Sequence, residues 1–205
     1  MKKSFLLLAV IAFISIHSSA QTVSTVKTTP ISFGLKAGIN INTMVGSSNN
    51  PLSDRSSLVG LNAGVFANFH VSEQFGIQPE LAWSTLGAKF EGTLVGMHYK
   101  EKQLLNYLTL PVLAKYTLAN SGFSLYAGPQ IGFLLSAKSK RSDIAYSNKD
   151  NYKSTDFAGV AGVEFEFPHT PFNISGRYQF GITEVGEVGS ARNNAATFTV
   201  GYRLR

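Results

Sequence analysis

Charged side chains interrupt segments that otherwise alternate apolar and polar residues, and their types decide what chemistry the chain can carry. Both signs are present, and each charge falls on the polar side of its segment. The residues are Lys36, Glu80, Lys115, Glu164, Glu166, Arg177 and Arg203. If they share one enclosed space, they form either a pathway for protons or ions or a plug in which the charges neutralise one another. The mixture of signs favours the plug, and Glu164 and Arg177, on either side of residues 168–171, are expected to pair.

The histidines and the lack of cysteine argue against catalysis and metal binding. The chain contains four histidines and no cysteine. A nucleophilic site needs a serine or aspartate beside a histidine, and only His98 falls in a long polar connection. No two histidines have the spacing of a metal site. We therefore expect no enzyme activity, no metal and no cofactor.

Eight segments must position the charged side chains, and each alternates apolar and polar residues with a period of two. In the first, Phe33, Leu35 and Ala37 face one way, and Gly34 and Lys36 face the other. Such alternation predicts β-strands with one apolar and one polar face. The segments are 32–42, 59–70, 75–84, 107–116, 123–136, 156–167, 172–182 and 196–205.

Two places disturb this pattern. The alternation blurs after Leu86, where we expect a bulge or the start of a loop. Pro111 cannot donate a hydrogen bond to a neighbouring strand, so it indicates a local bulge in the fourth strand.

The connections between the strands alternate in length. Residues 71–74, 119–122 and 168–171 are tight turns. The long polar connections are 43–57, 88–103, 139–155 and 183–194. Short turns at one end and long loops at the other are the rule for outer-membrane barrels, which have an even number of strands. The pattern predicts an all-β fold: an eight-stranded antiparallel up-and-down transmembrane β-barrel in the outer membrane, with both termini periplasmic.

Aromatic residues support this interpretation. Outward-facing rings gather near the short-turn end, where a girdle at the membrane interface is expected. They are Phe33, Phe69, Phe75, Tyr116, Phe123, Phe165, Phe167, Phe172 and Tyr202. A soluble barrel of lipocalin type is the alternative fold, and it would place apolar residues inside and polar residues outside.

The first twenty residues have the features of a secretory signal peptide. Lys2 and Lys3 precede the apolar run 5–16, and Ala20 ends a set of small residues suited to cleavage. We expect a signal peptide at 1–20 and one barrel domain at 21–205. The formal net charge is +6, but many of the cations fall at inward strand positions and do not form one exposed face, so nucleic acid is not an expected partner.

The third long connection is the most distinctive exposed segment, because its net charge is positive. Its basic residues, with the one just before it, are Lys138, Lys140, Arg141, Lys149 and Lys153. One interpretation is contact with anionic lipopolysaccharide or another envelope protein, in addition to outer-membrane lipid. The other is a solvated, mobile loop without a partner, since loops are polar and exposed in most proteins.

Five short motifs resemble the PorT-like outer-membrane β-barrel proteins. They are Ala20-Gln21 and the stretches 34–40 (GLKAGIN), 78–81 (QPEL), 107–111 (YLTLP) and 127–129 (AGP). The resemblance covers essentially the whole mature chain. It implies an eight-stranded outer-membrane barrel; most members have no assigned activity, and PorT itself is linked to a protein-secretion system.

These observations predict a non-enzymatic barrel with a closed interior, because eight strands enclose a lumen only wide enough for side chains. It would serve as a structural or interaction scaffold through its extracellular loops, chiefly 139–155. A narrow pore for small solutes is the second hypothesis, and a lipid-modifying enzyme that uses His98 is the third.

Overall fold

The computed structural model describes residues 31–46, 53–94, 97–119, 121–141, 144–186 and 191–204. The predicted signal peptide, residues 1–20, lies outside these ranges and stays a prediction. Within them the chain is mostly β-strand, with one turn of 3₁₀ helix at Lys149–Asn151. No helix in the described ranges is long and apolar enough to cross a membrane.

Ten antiparallel strands are described. They are β1 (Ile31–Val45), β2 (Ser53–Ser56), β3 (Leu58–His70), β4 (Phe75–Leu94), β5 (Met97–Thr117), β6 (Phe123–Arg141), β7 (Ile144–Ser147), β8 (Thr155–Glu166), β9 (Phe172–Gly181) and β10 (Arg192–Arg203). Eight of them close into a ring in the order β1, β3, β4, β5, β6, β8, β9 and β10, and β10 pairs again with β1. The short strands β2 and β7 add to β4 and β6. The predicted closed, eight-stranded antiparallel barrel is confirmed.

The barrel wall is apolar outside and polar inside over most of its height. On β1, Lys36 and Asn40 are buried, whereas Leu35 and Ile39 are exposed. On β3, Leu61 is 58% exposed. This inverted polarity is the pattern of a barrel whose outer face meets lipid. It contradicts the lipocalin-type alternative, which would turn polar residues outward.

The aromatic girdle lies on the outward face as predicted. Eight of its nine rings are exposed, and Phe165 is half-buried. Phe165 packs between Phe123 and Phe167, with ring centroids 4.6 and 5.1 Å away. The rings on β6 and β8 thus contact one another along the short-turn end.

All four predicted long loops contain regular structure, since β2 lies within 43–57 and β10 begins within 183–194. Residues 88–94 and 97–103 belong to paired strands, because β4 and β5 stay in one register from Phe75↔Tyr116 to Leu94↔Met97. Within 139–155, β6 continues to Arg141 and β7 pairs back onto it. The long-loop end therefore carries an extension of the barrel wall, and the described part of 139–155 contains the end of β6, β7 and one turn of 3₁₀ helix.

The bulge predicted at Pro111 is corrected. Pairing between β5 and β6 keeps one register on both sides of Pro111, and the shift lies between Asn106 and Tyr107 instead. The extra residue lies on β6, where Leu134 is buried and Leu135 is 49% exposed. The loop start expected after Leu86 is wrong, because Leu86 lies inside β4. The bulge that was the other expectation agrees with the pairing of β4, which shifts by one residue between Asn62↔Ser84 and Ser56↔Lys89, beside Gly87 with a φ of 137°.

Candidate functional site

All seven charges predicted for the interior form one continuous chain of ion pairs with alternating sign. Four cations share three carboxylates. In order along the chain, the members are Arg177, Glu80, Lys36, Glu164, Lys115, Glu166 and Arg203. We call this set the charge network.

Lys36 joins the two halves of the charge network. Its Nζ lies 3.0 Å from Glu80 Oε1 and 2.8 Å from Glu164 Oε2. Glu164 in turn accepts a hydrogen bond from Lys115 Nζ at 2.5 Å. These side chains are at least nine-tenths buried, so each charge depends on its partners for the solvation that it loses.

The network reaches across the lumen. Arg177 on β9 donates through Nη1 to Glu80 Oε2 at 2.7 Å, and β9 and β4 lie opposite each other in the ring of eight strands. Arg177 was expected to pair with Glu164, its diagonal neighbour across the β8–β9 hairpin. That prediction is wrong, because Glu164 already binds Lys36 and Lys115 while Arg177 extends to the far wall.

The charge network is more exposed to solvent at the short-turn end. Lys115 Nζ lies 2.9 Å from Glu166 Oε1, and Arg203 Nη1 lies 2.7 Å from Glu166 Oε2. The side chains of Glu166 and Arg203 are 30% and 40% exposed. Solvent therefore screens this last pair, unlike the pairs of Glu80 and Glu164.

Aromatic rings and glycines shape the space around Lys36. Its Nζ lies 4.8 Å from the centre of the Phe66 ring and 5.9 Å from that of Tyr126. A Cβ on Gly34 would lie 2.3 Å from Phe66, and a Cβ on Gly162 would lie 2.8 Å from Tyr126. Inward-facing glycines therefore make room for the two rings that cover the ammonium group.

A layer of amides and hydroxyls follows above the charge network. Asn40, four residues beyond Lys36 on β1, donates to Ser84 Oγ at 2.8 Å and accepts from Thr197 Oγ1 at 2.8 Å. On the other side of the lumen, Gln130 Nε2 donates to Gln179 Oε1 at 3.0 Å. The bonds of Asn40 to Ser84 and of Gln130 to Gln179 connect strands that are not sheet neighbours.

The long-loop end of the interior is filled by apolar side chains, which the sequence analysis did not predict. We call this set the apolar plug. Its members are Met44, Leu86, Ala88, Leu105, Tyr107, Leu134, Ala137, Val185 and Ala195, with Tyr152 packed against them. Met44, Ala88 and Val185 come from three of the supposed loops, and Leu134 and Ala137 lie on either side of the β6 bulge. Alternation that continues through Leu86, Ala88 and Leu105 was the signal that would have revealed them.

Tyr152 connects the plug to the segment that covers it. Its hydroxyl donates to Gln103 Oε1 at 2.8 Å. Burial, reinforced by the Glu101 carboxylate, raises the pKa of Tyr152 to about 12. The side chain therefore remains a neutral hydrogen-bond donor at physiological pH.

Asp156 is a buried carboxylate that the sequence analysis did not single out as part of a site. It accepts hydrogen bonds from Asn193 Nδ2 at 3.0 Å and from Thr183 Oγ1 at 3.1 Å. Asn193 also approaches the Tyr107 hydroxyl, at 3.4 Å. Asp156 thus borders the apolar plug and is held by neutral donors.

The five basic residues predicted as a contact surface do not form one group. Lys138 and Lys140 are exposed on β6, and Arg141 ends that strand, its side chain outside the described part. Lys149 and Lys153 are exposed on the segment around Tyr152. The first group belongs to the barrel wall, and the second lies over the end of the lumen, which we call the mouth.

The described residues bring no catalytic constellation together around the histidines. His70 Nε2 lies 3.4 Å from Asn68 Nδ2, and His169 is exposed in a turn. His98 lies in β5, but its side chain is outside the described part. Among the side chains that are described, no group of three His, Asp or Glu residues is placed to hold a metal ion.

Comparison with known proteins agrees with this geometry. The family model for an outer membrane protein β-barrel domain matches residues 19–186. Neisserial surface protein A is similar in structure with a TM-score of 0.53 at 12% identity, over 85% of this chain and 99% of that one. Ail of Yersinia pestis, solved with the heparin analogue sucrose octasulfate, gives 0.51 at 18% identity, over 86% and 100%. The likeness to both structures concerns the fold. Comparison with curated proteins gives no significant match.

Proposed function

Because this chain belongs to the outer membrane protein β-barrel family, we propose that it is a non-enzymatic scaffold with a closed interior, which contacts other envelope components through its long-loop end. The observation that carries this proposal is the ion pair of Arg177 and Glu80, 2.7 Å long, between opposite walls of the barrel. The apolar plug adds a second barrier above it. A barrel blocked in this way acts through its surface.

The proposal includes an orientation. β1 begins and β10 ends at the same end as the short turns, and outer-membrane barrels keep short turns in the periplasm. Both termini are then periplasmic, and the mouth faces the outside. We also propose, on the basis of the sequence motifs, that the chain is related to the PorT-like proteins. A role in secretion is not part of the proposal.

The basic side chains at the long-loop end are the proposed contact surface for lipopolysaccharide or an acidic envelope protein. Lys149 and Lys153 at the mouth are the residues that a protein partner would contact. Deleting 139–155 is a poor test, because it would remove Tyr152 from the apolar plug. Substitutions of the two exposed lysines leave that packing intact.

The test is chemical cross-linking in intact cells, followed by purification of the tagged barrel. We expect one stoichiometric partner whose recovery falls at least tenfold in the double variant Lys149→Glu/Lys153→Glu. The double variant Lys89→Gln/Lys102→Gln, on the outer wall, should retain it. Recovery that is unchanged by the mouth substitutions, or the absence of any cross-linked partner, would overturn the scaffold proposal.

A pore for small solutes is the competing function. It would require both the charge network and the apolar plug to open, and conductance recordings detect such a path. A lipid-modifying enzyme would require a histidine with a partner nucleophile, and activity lost in His98→Ala would be its sign.

A further inference from the structure

Three polar side chains on neighbouring strands interrupt the apolar outer wall. Thr85 on β4 is paired with Asn106 on β5, and Asn106 is paired with Ser136 on β6. The Thr85 hydroxyl donates to Asn106 Oδ1 at 2.7 Å, and Asn106 Nδ2 donates to Ser136 Oγ at 3.0 Å. We call these three residues the outer polar row. Their mutual hydrogen bonds lower the cost of placing polar groups on a wall that meets lipid.

The outer polar row faces away from the lumen. Leu105 and Tyr107, the neighbours of Asn106 in the sequence, have 0% exposure and face inward, so Asn106 faces outward. Directly paired residues share a face of the sheet, and Thr85 and Ser136 therefore face outward as well. Asn106 and Ser136 are half-buried, whereas Thr85 is buried. Asn106 and Ser136 are thus the two members that a lipid can reach.

The β6 bulge places Ser136 in this row. The register between β5 and β6 shifts between Asn106 and Tyr107, and the extra residue is Leu135. If the register of the pairs nearer the short turns continued, Asn106 would lie opposite the apolar Leu135 and not opposite Ser136. Bulges commonly re-aim a side chain at a functional position. Here the bulge gives Asn106 a hydroxyl neighbour on the outer wall.

The row lies at the upper boundary of the apolar band. Asn106 is ten residues from Tyr116, which belongs to the aromatic girdle on the same strand. At about 3.3 Å per residue and a tilt of about 40°, this spacing is roughly 25 Å along the barrel axis, the height of the apolar band in such barrels. On the outer face just below the row, Trp83 is paired with Leu108, and Leu108 with Phe133. Aromatic rings are typical of the membrane interface, so the row lies at the depth where acyl chains join their headgroup.

The row carries hydrogen atoms that its own bonds do not use. The Asn106 amide has two hydrogens on Nδ2, and the bond to Ser136 Oγ uses one of them. Ser136 Oγ accepts that bond, which does not use its own hydroxyl hydrogen. At this depth a membrane lipid offers the carbonyl oxygens of its ester or amide links as acceptors. The chemistry of the row therefore matches a carbonyl group.

We propose that Asn106 and Ser136 donate hydrogen bonds to the carbonyl group that links an acyl chain to its lipid headgroup. Directly opposed residues have Cβ atoms about 5 Å apart, so one carbonyl oxygen, which has two lone pairs, accepts from both side chains. Phospholipids and lipid A both contain such a carbonyl group, and an ether-linked lipid does not. The inference needs only the membrane-spanning fold; it does not rest on the scaffold function or on the orientation.

The experiment uses the purified, folded barrel in detergent and measures bound lipid by native mass spectrometry. The probes are a diacyl phosphatidylethanolamine and its dialkyl ether analogue of equal chain length, offered at equal concentration. We expect the wild type to retain about five times more ester lipid than ether lipid, because two neutral hydrogen bonds distinguish them. In Asn106→Leu/Ser136→Ala the ratio should fall to about one. Thr43→Val should keep the wild-type ratio, because it removes an outward hydroxyl at a similar height on β1, ten residues from Phe33.

Three outcomes would overturn the proposal: equal retention of the two lipids by the wild type, a ratio unchanged in Asn106→Leu/Ser136→Ala, or a ratio lowered equally in Thr43→Val. Unfolding curves that match the wild type keep a folding defect from being mistaken for lost binding.

Competition between the diacyl phospholipid and lipid A identifies the source of the carbonyl group. Each lipid whose retention falls in the double variant is a ligand, and a fall in neither overturns the proposal. Lipid retention is measured without cells, so its failure leaves the cross-linking test of the scaffold function unaffected.

Discussion

The two halves of the barrel interior are filled by opposite chemistry. At the short-turn end, three glutamates and four cations alternate in a chain of ion pairs. At the long-loop end, an apolar cluster around Leu105 and Tyr107 occupies the same lumen. β1 runs through both regions, with Lys36 in the first and Met44 in the second. One strand thus contributes to two unlike barriers.

The difference teaches how each barrier depends on its members. An ion-pair chain is directional, and removal of one buried charge leaves its partners without compensation. An apolar cluster is not directional, and its stability depends on filled volume. A change of charge without a change of shape should therefore damage the first region, whereas a change of volume without a change of charge should damage the second.

Glu164→Gln should give the largest effect. The substitution keeps the shape but removes a carboxylate that lies 2.8 Å from Lys36 and 2.5 Å from Lys115. We expect the free energy of unfolding to fall by about 3–5 kcal/mol, as for other broken buried pairs. Denaturant unfolding of the barrel in lipid vesicles measures it. Glu73→Gln, in an exposed turn, is the matched control and should change stability by less than about 0.5 kcal/mol; equal effects would remove the distinction between the regions.

Leu105→Ala should give the next largest effect. Leu105 has 0% exposure in the apolar plug, and its truncation leaves a cavity that costs about 3 kcal/mol. Its neighbour Leu104 faces outward and is half-buried, so Leu104→Ala should cost only about 1 kcal/mol. The same unfolding assay compares the two. Equal losses of stability in Leu105→Ala and Leu104→Ala would contradict the burial of Leu105 in the apolar plug.

Tyr152→Phe should give the smallest loss of stability. It tests whether the ring or the hydroxyl of Tyr152 holds this residue at the apolar plug. It keeps the ring against the apolar cluster and removes the hydrogen bond to Gln103. We expect a loss of about 1 kcal/mol. Tyr146→Phe, with a hydroxyl at an exposed position, should stay within a few tenths of a kcal/mol. A loss above about 3 kcal/mol for Tyr152→Phe would mean that the hydroxyl, and not the ring, holds the mouth segment in place.

Local alternation was enough to predict the eight strands of the ring, though not their full length at the long-loop end, and the inward position of the charges in the network. Whether a strand residue points into or out of the barrel depends only on a period of two, which is visible in the sequence. The partners were not predictable in this way. Glu80 and Arg177 are 97 residues apart and meet because the ring closes with β4 opposite β9, and closure depends on the registers of all eight strands.

The apolar plug was missed for a different reason. Ala88 lies in the predicted loop 88–103, and Leu86 and Leu105 lie between that loop and the predicted strands, but the pairing of β4 with β5 continues through all three. On β6 the bulge brings both Leu134 and Ala137 to the inside. A bulge changes the phase of alternation, and this sequence gives no local signal for its place.

Conductance in planar lipid bilayers tests most directly whether two barriers close the interior. The wild-type barrel, shown to be folded before and after reconstitution, is recorded beside an established porin that proves insertion and sensitivity. The account predicts no channel steps for the wild type, and none for Leu105→Ala, in which the charge network still blocks the lumen. Reproducible, discrete steps from the folded wild type would contradict it.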